Sequence, residues 1–401
     1  MTEHDELSQM LRDKVETFDV RPSDLPQVEA RARRIRARRR TAAVSAVAAA
    51  VVAVAVPTAL ALRPGDPSGS PARPSPSAPT ASPGTPEPTV STLSQIPEGR
   101  EPKIGWRQGS VVHLADGRTL SLPDGIWGSF APYRGGLVAA STNGIADEVV
   151  VVGSDGGVVS RGQGSGPVVS PDGTRVTWWS HSSHGNDFVS GPTSATGGGT
   201  DTTVPTTARR PKPIGYLDGQ LVYAVDSDTG GVAVSCGASC TIGLSGITMV
   251  RAVDSDRHLL AGFTSSDCPT KVFHAPRLTG TSSRTVPVTS SWPCVQETPD
   301  GFSPDGSELT LVHQGGDGRT DGIDVRDSDS GRLRMSYRAP RGVQVGFTAW
   351  EDDTHVLVVA YSAPDTEWTI LRLGLDRSVE RAAPVVAGDD SASPFAFGAQ
   401  P

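Results

Sequence analysis

The sequence SPDGTRVTWW at residues 170–179 and the sequence SPDGSELTLV at residues 303–312 share one plan, a Ser-Pro-Asp-Gly turn followed by an apolar run. Asp-Gly supplies the positive φ that a tight hairpin turn needs, and the proline before it ends the preceding strand. The run after the turn is apolar at successive positions, as expected of a strand that is covered on both faces. Each stretch therefore predicts a hairpin whose second strand lies between neighbouring sheets.

Weaker copies of this unit occur elsewhere between residues 133 and 362. They are YRGGLVAAS (133–141), LDGQLVYAV (217–225), DSDRHLLAGF (254–263) and EDDTHVLVVAYS (351–362). The turn centres lie roughly 38 to 49 residues apart, which is the length of one four-stranded propeller blade. A second hairpin is predicted after the apolar strands, as in EVVVVGSDGGVVSRG (148–162) and GIDVRDSDSGRLRMSYR (322–338). The turn residues that define the repeat are Asp172, Gly173, Asp218, Gly219, Asp305 and Gly306.

The recurring unit resembles the TolB-type, WD40-like propeller repeat, in which Ser-Pro-Asp-Gly precedes two polar residues and an apolar strand. The resemblance covers about residues 104–399, with two close and four degenerate copies. It implies an all-β fold, a ring of blades that serves mostly as a binding or scaffolding surface. It implies no particular ligand, because one fold hosts many functions.

The two ends of this region predict how the ring closes. KIGWRQGSVVHLADGRTLSLP (103–123) supplies about three strands and SPFAFG (393–398) supplies one, so both termini should share a blade. The tally is a seven-bladed β-propeller. Besides the shared blade it has blades at about 126–161, 166–205, 213–245, 248–290, 298–338 and 343–386. A six-bladed propeller with frayed termini is the alternative, and a two-sheet sandwich ranks third because it leaves the repeat unexplained.

Residues 41–62, TAAVSAVAAAVVAVAVPTALAL, carry no charged side chain and are long enough to cross a bilayer as a helix. The arginines directly before them are Arg31, Arg33, Arg34, Arg36, Arg38, Arg39 and Arg40. Positive charge is retained on the cytoplasmic side, so this junction predicts a single-pass membrane protein with a cytoplasmic N-terminus and an extracytoplasmic domain at 103–401. A cleaved signal peptide, suggested by Ala59-Leu60-Ala61, and a buried soluble helix are the alternatives.

The predicted cytoplasmic tail, residues 1–40, contains one short amphipathic pattern. Its apolar members at helical spacing are Leu7, Met10, Leu11, Val15 and Phe18. The pattern predicts a short helix, either on the inner leaflet or as a docking segment for a cytoplasmic partner. Such tails resemble those of actinobacterial membrane-anchored proteins, anti-sigma factors among them, although the His and two Cys of the zinc-binding type are absent.

The predicted linker, residues 63–102, has ten prolines between Pro64 and Pro97 among Ser, Thr and Gly. With no apolar set to bury, it is predicted to be disordered and extended, a spacer between the span and the propeller.

The four cysteines all lie in the predicted outer domain: Cys236, Cys240, Cys268 and Cys294. An even number suits an oxidising compartment and predicts disulfides. We favour Cys236–Cys240 and Cys268–Cys294 among the three possible pairings. A zinc site is the alternative, but the spacings do not fit a familiar zinc pattern.

Net charge and the motifs that are absent exclude several classes of function. The formal net charge is −8, and the first 40 residues hold ten basic and eight acidic side chains, so the remainder has a net charge of −10. That acidity argues against nucleic-acid binding. No Gly-x-Ser-x-Gly elbow occurs, and the carboxylates at 317–324 match a calcium loop only in part, so no catalytic residue, metal or cofactor is predicted. Trp178, Trp179, Trp350 and Trp368 are expected to pack between blades.

The sequence therefore predicts a non-catalytic binding or scaffold propeller of the cell envelope, anchored by one membrane span, with a protein or glycan ligand on the propeller face. A transmembrane signalling or anti-sigma-like regulator that acts through residues 1–40 is the first alternative. An envelope glycan hydrolase or lyase is the second.

Overall fold

The computed structural model describes residues 92–141, 148–182, 185–194, 201–206, 211–225, 232–235, 241–245, 247–264, 270–275, 284–285, 292, 295, 297–315, 319–388 and 392–400. The predicted tail, the predicted span at 41–62 and most of the predicted linker lie outside these ranges. Within them, helix is confined to one 3-10 turn at Leu93–Gln95, and no helix is long and apolar enough to cross a membrane.

The first strands in the chain are β1 (Trp106–Gln108), β2 (Val111–His113) and β3 (Thr119–Ser121). The next sheet contains β4 (Trp127–Tyr133), β5 (Gly136–Ser141), β6 (Glu148–Val152), β7 (Val158–Val169), β8 (Arg175–Ser182), β9 (Gly185–Pro192) and β10 (Thr202–Pro205), each antiparallel to the next. Strand β7 ends one set of four strands and, after a register shift between Ser165 and Val168, begins another.

The middle of the chain forms two sheets. One has β11 (Lys212–Leu217), β12 (Gln220–Ala224), β13 (Val232–Ser235) and β14 (Thr241–Ser245), with β18 (Arg284–Thr285) added parallel to β14. The other has β15 (Met249–Asp254), β16 (Leu259–Phe263) and β17 (Thr270–His274).

The last part of the chain forms two further sheets and a lone strand. One sheet has β19 (Thr298–Phe302), β20 (Glu308–Gln314), β21 (Thr320–Asp327) and β22 (Leu333–Arg338). The last sheet has β23 (Val343–Asp352), β24 (His355–Ser362), β25 (Glu367–Gly374) and β26 (Val379–Arg381), with β27 (Val386–Ala387) on β25. The lone strand is β28 (Phe395–Phe397).

Strand β28 joins the two ends of the domain. It pairs antiparallel with β1, so the sheet order is β28-β1-β2-β3. The prediction that one C-terminal strand and three N-terminal strands share a sheet is confirmed. Phe395 and Phe397 of β28 pack with Trp106 against Leu357 and Ile370 of the last sheet, which ties the two termini into the core.

The sheets follow one another around a ring. Neighbouring inner strands contact one another in the order β28, β4, β7, β11, β15, β19, β23 and back to β28, and the seven-stranded sheet contributes two of them, β4 and β7. The strands that follow the repeat turns are nearly all buried: β20 contributes Leu309 and Leu311, and β24 contributes Val356 and Val358. The fold is an all-β propeller, and its core lies between neighbouring sheets, as the sequence predicts.

The predicted number of blades is wrong. Within the described residues five sheets have the four or more strands of a full blade, and a sixth sheet, β15-β16-β17, has three. The count differs from seven and from six for two physical reasons. Strand β7 runs on through Gly162–Pro167 and joins two predicted blades into one sheet, and the predicted outer strand of the 248–290 blade instead pairs as β18 with the preceding sheet.

The segment at 92–103, called the strap below, differs from the predicted linker. Leu93 and Ile96 are buried in the core with Leu371 and Leu373. Beyond them the backbone at 97–99 lies along the outer strand of the last sheet, where Gly99 N donates to Arg381 O and Arg381 N donates to Pro97 O. Two apolar side chains in an otherwise polar stretch are enough to dock it.

Candidate functional site

The two Ser-Pro-Asp-Gly turns have the same internal hydrogen bonds. In each, the serine hydroxyl donates to the aspartate two positions on, at 2.6 Å from Ser170 to Asp172 and at 2.6 Å from Ser303 to Asp305. The glycines have φ of +67° at Gly173 and +68° at Gly306, as the tight turn requires. These hydrogen bonds keep the pKa of Asp172 below its usual value.

The third predicted turn, Asp218-Gly219, joins β11 to β12 with both residues at positive φ, +51° and +72°. The Asp218 carboxylate lies 3.1 Å from Nε2 of His258, which belongs to the corresponding turn of the next sheet. The inner strands run in the same direction along the axis of the ring, so the turns that follow them lie on one side of the ring. We call this side the turn face. The predicted repeat residues are thus structural elements of this face.

Neighbouring turns on this face are joined by side chains. Arg257 donates to Ser328 Oγ at 2.7 Å and to Asp329 at 2.6 Å, and it also reaches the carbonyl of Gly306. Asp305 N donates to Asp353 at 3.1 Å. The turn face is therefore a connected surface rather than a set of independent loops.

A cleft of about 600 Å³ opens on the turn face beside the shared terminal sheet. Its apolar lining comes from the shared terminal sheet and the seven-stranded sheet: Ile104, Leu114, Phe130, Pro132, Val169 and Ala399. Ala399 N donates to Phe130 O at 2.7 Å, which fixes the end of the chain to strand β4. A concave apolar site with few polar groups is typical of a ligand-binding site.

The rim of this turn-face cleft is charged and held in place. Arg118 donates to Asp116 Oδ2 at 2.8 Å and to the carbonyl of Gly135 at 2.6 Å. Lys103 also lines the cleft and places Nζ 3.3 Å from Asp352. Since Arg118 and Lys103 are each about half exposed, they can meet a ligand without first leaving a buried position.

Next to the cleft, Arg372 forms a buried clamp. Its guanidinium donates to Glu351 at 2.7 and 2.8 Å, to the strap carbonyls of Arg100 and Glu101 at 3.0 and 3.1 Å, and to Glu380. The side chains of Arg372 and Glu351 are 2% and 0% exposed. We call this group the Arg372 clamp; it joins the strap to the last sheet.

Glu351, Asp352 and His355 have donor atoms within 4.8 Å of one another, the spacing of a metal site. Both Glu351 oxygens already accept from Arg372, while Asp352 accepts from Thr354 and contacts His355 and Lys103. Burial alone would raise the pKa of Asp352, but these hydrogen bonds hold it well below its usual range. The carboxylates are neutralised by cationic side chains, so this cluster is an ion-pair network.

Of the other predicted residues, some lie in the core and the rest are outside the described residues. The four cysteines and the seven arginines before the predicted span lie outside the described residues. Trp178, Trp179 and Trp350 are 4–5% exposed and pack in the core between sheets, as predicted, while Trp368 is half-buried against the core of the last sheet. Sequence reasoning missed the cleft, because its lining residues lie between positions 103 and 400 and no local pattern relates them.

No known protein family matches the chain, and no curated protein matches it. Similar solved structures include the β-propeller domain of Cps50 (Swd1) from Myceliophteria thermophila, at 13% identity and a TM-score of 0.44, covering 67% of this chain and 87% of that one. TolB from Acinetobacter baumannii matches at 12% identity and a TM-score of 0.36, over 74% of this chain and 66% of that one. A prolyl endopeptidase matches at 14% identity and a TM-score of 0.47, over 75% of this chain, which spans 50% of that enzyme's length. Likenesses at this identity concern the fold alone.

Proposed function

We propose that the protein is a non-catalytic binding propeller of the cell envelope that takes a protein ligand in the turn-face cleft. The observation that carries the proposal is the cleft itself. It combines an apolar floor with two half-exposed cations on its rim, Arg118 and Lys103. An apolar side chain of a partner would fill the floor while an acidic neighbour met the rim.

The composition of the cleft disfavours a glycan-cleaving enzyme. Among its described lining residues Asp116 is the one carboxylate, and it is paired with Arg118. Glycoside hydrolysis generally needs two carboxylates that flank the scissile bond. The lining aromatic, Phe130, is 1% exposed and so offers no stacking platform to a sugar ring. These features favour a protein ligand over a glycan.

A pair of tryptophan substitutions tests the site. Ala115 is exposed and lines the cleft, so Ala115→Trp should block it without disturbing the core. Ala387→Trp, at an exposed position of β27, is the matched control. Full-length protein in detergent would be screened against a displayed peptide library and a glycan array. We expect peptide binding that Ala115→Trp weakens at least about tenfold, or about 1.4 kcal/mol, and that the control leaves unchanged. Selected ligands that bind Ala115→Trp normally would contradict the proposal.

We also propose that residues 41–62 anchor this module with the N-terminus inside. The support is the arginine run before an uncharged stretch of 22 residues. Protease treatment of intact cells should remove an epitope tag at the C-terminus and spare a tag at the N-terminus. A C-terminal tag that becomes accessible only after lysis would overturn the orientation. In that case a cytoplasmic role for the propeller would follow.

Cys268–Cys294 is our proposed disulfide in the outer domain. Its support is the isolated antiparallel bridge between Thr270 and Val295, which brings the chain two residues after Cys268 next to the chain one residue after Cys294. Thr270 Oγ1 also donates to Glu297 O at 2.6 Å. Peptide mapping under non-reducing conditions should recover this pair covalently linked. Free thiols at both positions in protein from the native host would argue against the outside location.

A further inference from the structure

The inner strands share an irregularity that the sequence does not reveal. Five of the seven inner strands have a one-residue β-bulge partway along their length, three to six residues before the inner turn. The bulged residues are Gly128 in β4, Ile214 in β11, Arg251 in β15, Asp300 in β19 and Phe347 in β23. At about 3.3 Å per residue, they lie about 10–20 Å from the turn face. Bulges re-aim side chains and recur next to functional sites.

Three of these bulged residues are exposed: Arg251, Asp300 and Phe347. An inner strand is paired with the second strand on one edge and packed by neighbouring sheets on both faces. A side chain exposed in the middle of such a strand therefore reaches solvent through the central channel. Strands β15, β19 and β23 are consecutive around the ring, so the three residues line one side of the channel. We call them the channel half-ring.

At the corresponding bulges of β4 and β11 and at the register shift of β7, the residues are small or half-buried and carry no charge. Gly128 in β4 has no side chain, Ile214 in β11 is half-buried, and β7 has Gly166 and Pro167 at its register shift. The bulged positions of β15, β19 and β23 therefore present a cation, an anion and an aromatic ring, whereas those of β4 and β11 do not. Such asymmetry orients a ligand.

Phe347 is held in a conformation that phenylalanine avoids. Its φ is +25° and its side chain is 53% exposed, so neither backbone preference nor burial accounts for an aromatic residue there. Strain of this kind costs on the order of 1–3 kcal/mol and is concentrated at ligand sites. Glycine would relieve the strain, yet the chain has a large apolar ring facing the channel.

Asp300 and Arg251 differ in how they are held. Asp300 Oδ2 accepts from Thr348 N at 2.9 Å and from Thr348 Oγ1 at 2.6 Å, which fixes the carboxylate beside Phe347. Arg251 forms no ion pair with the described residues, so its guanidinium is available to an anionic group. The fixed carboxylate favours an N–H donor next to that anion.

We propose that the channel half-ring binds the carboxyl-terminal end of a peptide with an apolar last residue. The terminal carboxylate pairs with Arg251, an amide N–H donates to Asp300, and the apolar side chain covers Phe347. A free carboxylate, an amide donor and an apolar group within one terminus match the three chemistries of the half-ring. This site is separate from the turn-face cleft and does not depend on the function proposed for it.

The test uses full-length protein in detergent and fluorescent hexapeptide pools, randomised except for an apolar last residue. Each pool is made with a free carboxyl terminus and with a terminal amide. We expect the free-acid pools to bind at least about tenfold more tightly by fluorescence anisotropy. Arg251→Gln should abolish the preference, whereas Arg332→Gln, at an exposed arginine in the turn between the outer strands β21 and β22, should keep it. Ala115→Trp should also keep it, because that substitution blocks only the cleft.

Phe347→Gly distinguishes a binding role from a structural one. It should weaken binding at least about tenfold while the unfolding temperature stays the same or rises, since glycine accepts the positive φ. The proposal is overturned if no free-acid pool binds or if acid and amide pools bind equally. It is also overturned if Arg251→Gln and Phe347→Gly bind as the unmodified chain does.

Discussion

Glu351 and Glu308 are both buried carboxylates that face an arginine, but their pKa values shift in opposite directions. Glu351 accepts two hydrogen bonds from Arg372 and a third from Lys103 N at 2.8 Å. Burial alone would raise its pKa, but the hydrogen bonds from Arg372 and Lys103 outweigh burial and lower it. Glu308 has Arg334 at 3.1 Å from one oxygen, and its other oxygen is buried with no partner among the described residues. There burial dominates and raises the pKa.

In these two sites, hydrogen bonds outweigh burial where both carboxylate oxygens have partners, and burial outweighs the ion pair where one oxygen has none. Arg372 is itself 2% exposed and is fully committed to the Arg372 clamp, whereas Arg334 is 40% exposed and divides its contacts between Glu308 and Asp327. A buried network with all its hydrogen bonds made is rigid. In an incomplete network, the hydrogen bonds that form do not offset the free energy of desolvation.

The largest change in stability is expected when each arginine is removed in turn. Arg372→Met should lower the free energy of unfolding by about 3–5 kcal/mol, because it leaves Glu351 buried without its main partner and frees the strap carbonyls. Arg334→Met should cost no more than about 1 kcal/mol, as expected for a largely exposed pair. Denaturant unfolding of the full-length protein measures both. Equal losses would show that burial of the network is unimportant.

Replacing the carboxylates sharpens the same contrast. Glu351→Gln should destabilise by about 1.5–3 kcal/mol at pH 7, the value of a charge-assisted hydrogen bond lost in the core. Glu308→Gln should be neutral or slightly stabilising, because it removes a charge whose second oxygen is unsatisfied. If Glu308→Gln lowered the free energy of unfolding as much as Glu351→Gln does, Arg334 would neutralise Glu308 fully.

Gly306 extends the comparison to a third carboxylate, Asp254, which also has a buried oxygen with no partner among the described residues. A Cβ at Gly306 would overlap that oxygen, and the φ of +68° disfavours any side chain. Gly306→Ala should therefore cost about 2 kcal/mol or more, against about 1 kcal/mol for Gly219→Ala, where the φ is similar and the space is open. Similar losses in thermal unfolding would show that Asp254 moves aside freely.

The smallest expected effect is in the pH dependence. Because the folded-state pKa of Glu351 lies below its usual 4.5, its contribution is complete above about pH 4.5 and is lost as the pH falls through the folded-state value. The pKa of Glu308 is raised, so stability falls as the pH rises from 4.5 through its folded-state value. The cost of Glu351→Gln should shrink between pH 7 and pH 4. Any gain from Glu308→Gln should likewise vanish at pH 4. Unfolding curves at both pH values test this, and costs independent of pH would contradict both assignments.

The sequence predicts the fold well where the determinants are local. The Ser-Pro-Asp-Gly turns, the apolar strands after them and the sheet shared by the termini all follow from turn chemistry and periodicity. The blade count fails at Gly162–Pro167, where Gly and Pro suggest a break but the strand continues with a register shift. Local composition cannot show which strand of a neighbouring sheet a segment will choose, as β18 does.

The Arg372 clamp and the channel half-ring could not be predicted from the sequence, for a different reason. Arg372 contacts strap carbonyls more than 270 residues away, and the channel half-ring depends on bulges that leave no mark in the alternation of side chains. Both the clamp and the half-ring depend on contacts between residues that are far apart in the sequence. The tail, the span and the cysteines remain predictions of the sequence.

The strap also has a practical consequence for anyone who wishes to prepare the propeller alone. A fragment that begins at residue 103, where the composition changes, would omit Leu93 and Ile96 from the core and uncover the outer edge of β26. Bare sheet edges are templates for pairing between molecules, so such a fragment should aggregate. The cut belongs upstream of residue 92, within the proline-rich sequence.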